Sequence, residues 1–182
     1  MFDIRKIQEN VIYNSVLAES NADAANEVVY GKERSANGES NADWVKSAMN
    51  RLENRFDRQT IKKIRMNCQC GYGMEEKLAL VRELMSGASS IEEFANSKKA
   101  EAAGLFCKDG ELYLRFDFCP CPMLAEVDRL ETNTWCQCTT GYSKVLFEKA
   151  FACTADVELL KSIKMGHDIC LMKIILHNPL WQ

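Results

Sequence analysis

The sequence lacks the features that mark three classes of protein. No apolar run approaches the ~18 residues that suggest a membrane span, and the charged stretch 1–6 is not followed by the apolar segment of a secretory signal. No block of Lys and Arg stands free of acidic neighbours, and the net charge is −3, so the electrostatic footprint of a nucleic-acid binder is missing. We therefore expect a cytoplasmic protein whose partners are neither membranes nor nucleic acids.

Histidine is scarce and cysteine is abundant, with two and nine residues respectively in a chain of 182. A chain of this length with 47% hydrophobic residues can bury a core without covalent staples. In a reducing compartment, an odd number of cysteines indicates free, catalytic or metal-bound thiols rather than a disulfide framework. The chemistry of this chain therefore rests on its thiols.

Hydrophobic periodicity predicts a helical first half. Ser20 or Asn21, and Ser40 or Asn41 in the repeated Glu-Ser-Asn-Ala-Asp, are candidate helix caps, and the polar stretch 31–40 is expected to be a surface loop. Ser90 opens a capping box. The predicted helices cover about 3–18, 44–56, 60–67, 74–85 and 90–103.

The period changes after Gly104. Residues 105–118 read as a hairpin around Asp109-Gly110, with Leu112, Leu114, Phe116 and Phe118 on one face of its second arm. A helix from 141 to 151 precedes a second hairpin, 157–163 with 169–176. The prediction is an α+β fold in which a helical region, 1–103, is followed by an antiparallel sheet of two hairpins with an intervening helix, 104–182, within one compact unit.

Three Cys-x-Cys pairs occur: Cys68/Cys70, Cys119/Cys121 and Cys136/Cys138. Four thiolates can close a tetrahedral zinc site, although this spacing is tighter than that of the usual zinc knuckle. The alternative is that the cysteines pack as small buried hydrophobes. We expect a buried Trp135 to seat Cys136 and Cys138 near Cys119 and Cys121, which would form a zinc site or hold an iron–sulfur cluster.

A catalytic thiol is the competing use of the same residues. A nucleophilic cysteine needs a lowered pKa and a base in reach. Cys121 and Cys138, just ahead of the helix at Gly141, are the best placed. No pattern brings His167 or His177 to a thiol, so Asp117 and Glu158 are the candidate bases.

Two resemblances extend these expectations. The segment from Cys138-Thr-Thr-Gly-Tyr-Ser through Glu158 to Gly166-His-Asp-Ile-Cys170 resembles the vinyl 4-reductase domain, a family of small-ligand-binding domains. The resemblance implies helices and a sheet enclosing an apolar cavity, with a zinc site held by Cys138, Glu158 and Cys170. Ser162 stands where that family has a further cysteine, so Cys136 or the Cys119/Cys121 pair would have to replace it.

The arrangement Cys-Pro-Cys followed by Trp-Cys-x-Cys also resembles uncharacterised bacterial proteins near the 2-amino-thiazoline-4-carboxylate hydrolases, which implies hydrolysis of a cyclic C–N bond. We therefore carry two hypotheses. The first is a small-molecule-binding domain for a hydrophobic or heterocyclic ligand, with a pocket lined from Leu114, Phe116, Phe118, Leu146 and Phe151. The second is a cysteine-dependent hydrolase. The sequence leaves the substrate, the enzymatic status and any homo-oligomer open.

Overall fold

The computed structural model describes residues 3–31, 39–67 and 69–179. Most of the loop expected between 31 and 40, and Cys68, lie outside these ranges. Helices followed by one antiparallel sheet confirm the α+β prediction. The helices and strands are α1 Ile4–Glu19, α2 Ala22–Tyr30, α3 Asn41–Arg55, α4 Arg58–Met66, α5 Met74–Ser86, α6 Ile91–Ala95, α7 Lys98–Ala102, β1 Leu105–Lys108, β2 Glu111–Phe116, α8 Gln137–Phe151, β3 Thr154–Lys161 and β4 Cys170–His177, with 3-10 turns at Pro122–Leu124 and Ile163–Met165.

The chain forms two compact units that interleave along the sequence. Unit 1 comprises Met1–Cys70, Cys119–Gly141 and Lys164–Gly166. Unit 2 comprises Gly71–Phe118, Tyr142–Ile163 and His167–Gln182. Unit 1 therefore contains α1 to α4, and unit 2 contains α5 to α7 together with all four strands.

The helices of unit 1 begin at the polar residues that the sequence marks as caps. The Asn21 side chain accepts a hydrogen bond from the amide of Ala24 at 2.9 Å, and the Ser40 hydroxyl accepts one from the amide of Asp43 at 3.1 Å. Each bond satisfies an amide that has no partner within its own helix, which fixes where the helix starts. Both predicted caps are confirmed.

Two tryptophans lie in the core of unit 1. Trp44 on α3 and Trp135 are each 1% exposed, and their rings meet edge to face with centroids 5.7 Å apart. The Trp44 indole N–H donates to the carbonyl of Val29 on α2 at 2.9 Å. The contact brings segment 119–141, which carries Trp135, into the core formed by the first helices.

Unit 2 is built on a four-stranded antiparallel sheet in the order β1-β2-β4-β3. The β1–β2 hairpin turns at Asp109 and Gly110, whose φ values of 54° and 76° are those of a type I′ turn. One face of the sheet packs on helices and includes Leu112, Met172 and Ile174. Its core also holds the α6, α7 and α8 residues Phe94, Ala100, Leu146, Phe147 and Phe151.

Three predicted boundaries were wrong. The helix expected to run from Ser90 to about 103 is two short helices, because the Ser97 hydroxyl accepts from the amide of Ala100 and starts α7. Strand β2 ends at Phe116, so Phe118 leaves the apolar face and is 65% exposed. Helix α8 begins at Gln137, before the predicted Gly141.

No helix within the described ranges has both the length and the apolar character needed to cross a bilayer.

Candidate thiol site

Two of the predicted cysteine pairs lie in unit 1. Cys119 and Cys121 flank Pro120, and the carbonyl of Cys121 accepts from the amide of Leu124 at 3.1 Å as the chain enters its 3-10 turn. Cys136 and Cys138 lie at the start of α8, and each is 8% exposed. Residues distant in sequence therefore deliver four thiols to the same unit.

Cys121 lies within electrostatic reach of two other predicted ligands. Burial, with smaller contributions from the charges of Cys138 and Cys119, raises the pKa of its thiol to about 12, although the Trp135 indole and the Met123 amide act in the opposite direction. Neighbouring thiols resist ionising together because like charges repel. Without a counter-charge or a metal, Cys121 is therefore a neutral thiol at physiological pH, which argues against its use as a nucleophile.

Trp135 connects the components of this site. Its carbonyl accepts from the amide of Cys138 at 3.2 Å in the first turn of α8 and from Nη2 of Arg65 at 3.2 Å. Its indole ring carries the Arg65 guanidinium at 4.1 Å from the ring centroid. One residue thus contacts both the start of α8 and a buried cation, while its own buried indole N–H has no hydrogen-bond partner among the described residues.

Arg65, on α4, is a buried cation that forms no ion pair with any residue in the described part of the chain. Its side chain is 0% exposed, and Nε and Nη1 have no hydrogen-bond partner among the described residues. The bond to the Trp135 carbonyl and the contact with its ring offset only part of the cost of dehydrating a guanidinium, because neither partner carries a full negative charge. The site therefore contains an uncompensated positive charge.

Gln8 approaches the thiols from α1. This residue is 2% exposed, and its side-chain amide donates to Sγ of Cys138 at 3.8 Å. Cys138 is therefore held by the backbone of Trp135 on one side and by a polar side chain on the other.

The end of α4 passes very close to α8. A Cβ placed on Gly141 would lie 1.8 Å from the carbonyl oxygen of Met66, so only glycine allows this approach. The chain continues from Met66 into the third pair, where the Gln69 side chain donates to the Met66 carbonyl and Cys70 is half-buried. This contact brings the Cys70 segment to the first turns of α8, which begins at Gln137.

The remaining predicted site residues lie in unit 2 and are not brought together. Glu158 on β3 is exposed, opposite Lys173, whereas Cys170 on β4 is 7% exposed and lies with Met172 on the inner face. Because side chains alternate across a strand, Glu158 and Cys170 lie on opposite faces of the sheet. The pairing of Glu158 with Cys170 that the vinyl 4-reductase resemblance implies therefore has no support in the sheet register.

Asp117 and His167 also make local contacts. Asp117 is exposed and pairs with Arg115, with 3.3 Å between Oδ1 and Nε. Nδ1 of His167 lies 3.1 Å from the Ser162 carbonyl, in the turn before β4. These contacts account for both side chains without a catalytic role.

Most of the residues expected to line an apolar ligand pocket fill the core of unit 2. Leu114, Leu146 and Phe151 are buried there, and Phe116 packs against the same cluster. Phe118 is exposed. Unit 1 instead has an open cleft of about 490 Å³ with a charged and polar lining that includes Lys46, Asn50, Glu53 and Arg129.

Cysteine thiolates are suitable zinc ligands, but the described side chains do not already stand at the positions that zinc ligands require. Thiolates bind borderline and soft metal ions, and four are available in unit 1. Over residues 3–31, 39–67 and 69–179, however, no three Cys, His, Asp or Glu side chains stand in a ligating arrangement. Sequence patterns did not indicate Gln8, which donates to Sγ of Cys138, or Arg65, which donates to the carbonyl of Trp135.

Fold and site together describe an α+β protein whose unit 1 holds two Cys-x-Cys pairs, Cys119/Cys121 and Cys136/Cys138, and a buried arginine against Trp135. The chain belongs to DUF6144, a family of unknown function whose model matches residues 1–181. No curated protein and no solved structure matches it. The resemblances to the vinyl 4-reductase domain and to the thiazoline carboxylate hydrolases therefore stay predictions.

Proposed function

We propose that unit 1 binds a thiolate-coordinated metal ion, zinc in the first instance, through Cys121 and Cys138 with Cys119 and Cys136 as the further ligands. The observation that carries this proposal is the proximity of Cys121 to both Cys138 and Cys119 in a desolvated site. Cysteines that merely fill a core do not need to approach one another, whereas metal ligands do.

The environment of these thiols fits a metal better than it fits a free nucleophile. A bound cation removes the repulsion between neighbouring thiolates and deprotonates the thiols that ligate it. The buried Arg65 guanidinium and the Gln8 side-chain amide both favour negative charge in this unit. Metal binding would draw the sulfur atoms together from their present positions.

We also propose that the protein works in the cytoplasm. None of the eight cysteines that the structure describes forms a disulfide. A thiol cluster of this kind persists where the compartment keeps thiols reduced.

Metal analysis of protein purified without added metal, followed by zinc titration against a chromophoric chelator, tests the proposal. We expect one zinc per chain in the wild type, and a severe loss of affinity in Cys121→Ala and Cys138→Ala, because a structural zinc site depends on every thiolate. Cys107→Ala and Cys153→Ala are matched controls, since both residues are half-buried cysteines of unit 2.

Two outcomes would overturn the proposal. One is a wild-type protein that takes up no zinc under reducing conditions and shows no iron–sulfur absorption when prepared anaerobically. The other is equal loss of zinc from the site variants and from the controls, which would mean that binding reports cysteine content rather than a site.

A cysteine-dependent hydrolase is the second candidate, and one observation favours it. Cys138 lies in the first turn of α8, a helix of 15 residues, where the helix dipole lowers a thiol pKa. Cys138→Ser should then abolish hydrolysis of a cyclic C–N substrate such as a thiazoline carboxylate, and Cys107→Ser should not. Equal turnover in the two variants would eliminate this candidate.

A further inference from the structure

We propose that the open cleft of unit 1 binds short peptides as linear zwitterions, with the peptide carboxylate at Lys46 and the peptide ammonium group at Glu53 and Glu131. The cleft has a volume of about 490 Å³. Small-molecule sites commonly have volumes of ~300–1,000 Å³. Over the described residues no cysteine lines this cleft, so the site is separate from the proposed metal function and is tested independently of it.

One wall of the cleft is a single face of helix α3. Lys46, Met49 and Glu53 follow one another at spacings of three and four residues, so they lie in a row along the helix. The rise of a helix separates the first and last of them by roughly 10 Å. Met49 lies between them and is 6% exposed. This wall therefore presents a cation, an apolar surface and an anion in that order.

The opposite wall is the segment 129–132, which hydrogen bonds hold in place. The amide of Leu130 donates to the carbonyl of Lys164 at 2.8 Å. The Thr132 hydroxyl donates to Oε1 of Glu53 at 2.7 Å and so ties this wall to α3. Leu130 is 7% exposed and extends the apolar surface. The cleft is therefore formed before a ligand arrives.

The charges of the cleft are separated along its length. Glu131 adjoins Thr132, which is bonded to Glu53, so both carboxylates lie toward the same end. Lys46 lies toward the other end, and Arg129 adds a second cation to the lining. Lys46, Arg129 and Glu131 are exposed, and none of them forms an ion pair within the described ranges. Unpaired charges of both signs favour a ligand of complementary charge.

An extended tripeptide matches this order of charges. Each of its residues advances the chain by about 3.3–3.6 Å, so its two charged ends are roughly 10 Å apart. A central apolar side chain would lie on Met49 and Leu130 and bury part of its surface there. The side-chain amide of Asn50, which also lines the cleft, offers a donor and an acceptor to the peptide groups. A free amino acid carries its two charges too close together to reach both ends.

The test is a titration of the full chain with the tripeptide Ala-Leu-Ala, followed by nuclear magnetic resonance of the backbone amides. We expect chemical-shift changes centred on α3 and 129–132. Acetylation of the peptide amino group and amidation of its carboxyl group each remove one charge, and each should weaken binding about fivefold, the upper value for an exposed ion pair. Free leucine should bind more weakly than the unmodified tripeptide.

Paired changes in the protein and the peptide assign the two ends of the ligand. Lys46→Met should weaken binding of the unmodified peptide about fivefold and leave binding of the amidated peptide unchanged, because the latter has already lost this contact. The double variant Glu53→Gln, Glu131→Gln should act in the same way on the acetylated peptide. Lys62→Met is the matched control and should bind like wild type, since Lys62 is an exposed lysine of α4 outside the cleft lining.

Three results would overturn the proposal. One is the absence of shift changes in α3 and 129–132 at millimolar peptide. Another is equal affinity for the unmodified, acetylated and amidated peptides, which would mean that the charges of the cleft play no part. The third is an equal effect of Lys46→Met on the unmodified and amidated peptides, which would place the carboxylate elsewhere. None of these results bears on zinc binding, which has its own experiment.

Discussion

Replacing Gly141 with alanine tests the contact that brings the end of α4 to the start of α8. In an exposed helix this change stabilises by about 1 kcal/mol, because alanine is the better helix former. Here the new methyl would lie 1.8 Å from the Met66 carbonyl oxygen and 2.6 Å from its carbonyl carbon. Both atoms belong to the backbone, so a side-chain rotation cannot relieve the clash.

The size of the effect follows from that geometry. The contact has to lengthen by roughly 1.5 Å to reach ordinary van der Waals separation, which forces the end of α4 away from α8. Overpacking of this kind costs about 1–3 kcal/mol, and a backbone obstacle belongs at the upper end of that range. After subtracting the gain in helix propensity, we expect a net destabilisation of about 2 kcal/mol.

Urea unfolding followed by tryptophan fluorescence measures the loss, since Trp44 and Trp135 both report on unit 1. Gly87→Ala is the control, because that residue follows α5 at a negative φ of −105° and a Cβ there would meet nothing within 4 Å. If Gly141→Ala is as stable as wild type or more stable, α4 does not approach α8 as described. The proximity of the Cys70 segment to Cys138 would then be wrong as well.

Three further predictions concern other parts of the molecule. Gly104→Ala should destabilise severely, because φ is +83° and its Cβ would lie 2.0 Å from the carbonyl oxygen of Arg115; normal urea unfolding would contradict this. Lys173→Met should lower the melting temperature between about pH 5 and 10 and not outside this window. The hydrogen bond between Lys173 and Glu111 lowers the pKa of Glu111 from 4.5, so the stabilisation by this bond is lost as the pH falls and Glu111 takes up a proton. The same bond raises the pKa of Lys173 from 10.5, so the stabilisation is also lost as the pH rises and Lys173 loses its proton. A difference in melting temperature that does not depend on pH would refute this prediction. Alkylation of Cys121 in metal-free protein, mapped by mass spectrometry, should keep accelerating up to about pH 12, whereas a plateau near pH 8 would show an ordinary thiol.

Sequence patterns predicted those features of the fold that depend only on neighbouring residues. The caps at Asn21 and Ser40 and the hairpin turn at Asp109-Gly110 depend on side chains and dihedral preferences within a few residues, and all three are confirmed. The start of α8 was missed because threonine and glycine are weak helix formers. Its position depends instead on packing, since the missing side chain of Gly141 is what admits the Met66 carbonyl.

The candidate site was only partly predictable from the sequence, because some of its residues are positioned by packing against distant parts of the chain. Chain order and spacing predicted that the Cys119/Cys121 and Cys136/Cys138 pairs lie together, and this stays a prediction that the influence of Cys138 and Cys119 on the Cys121 thiol supports. Arg65 and Gln8 carry no such signal, because polar residues on amphipathic helices ordinarily face solvent. They are buried with Trp135 and Cys138, their partners in the segment 119–141, and no pattern within α1 or α4 encodes those partners.

The order of strands in the sheet also governs when the protein can fold. Strand β4 is the last of the four in sequence, yet it lies between β2 and β3 and is hydrogen-bonded to both. On the ribosome, β2 and β3 must wait for residues 170–177 before either gains its inner neighbour, so the sheet forms late and through contacts between distant residues. Until then two strand edges and the thiols of the unfolded chain are accessible, and synthesis at a raised temperature or under oxidising conditions should therefore reduce the yield of folded protein more than the same treatment of the finished chain.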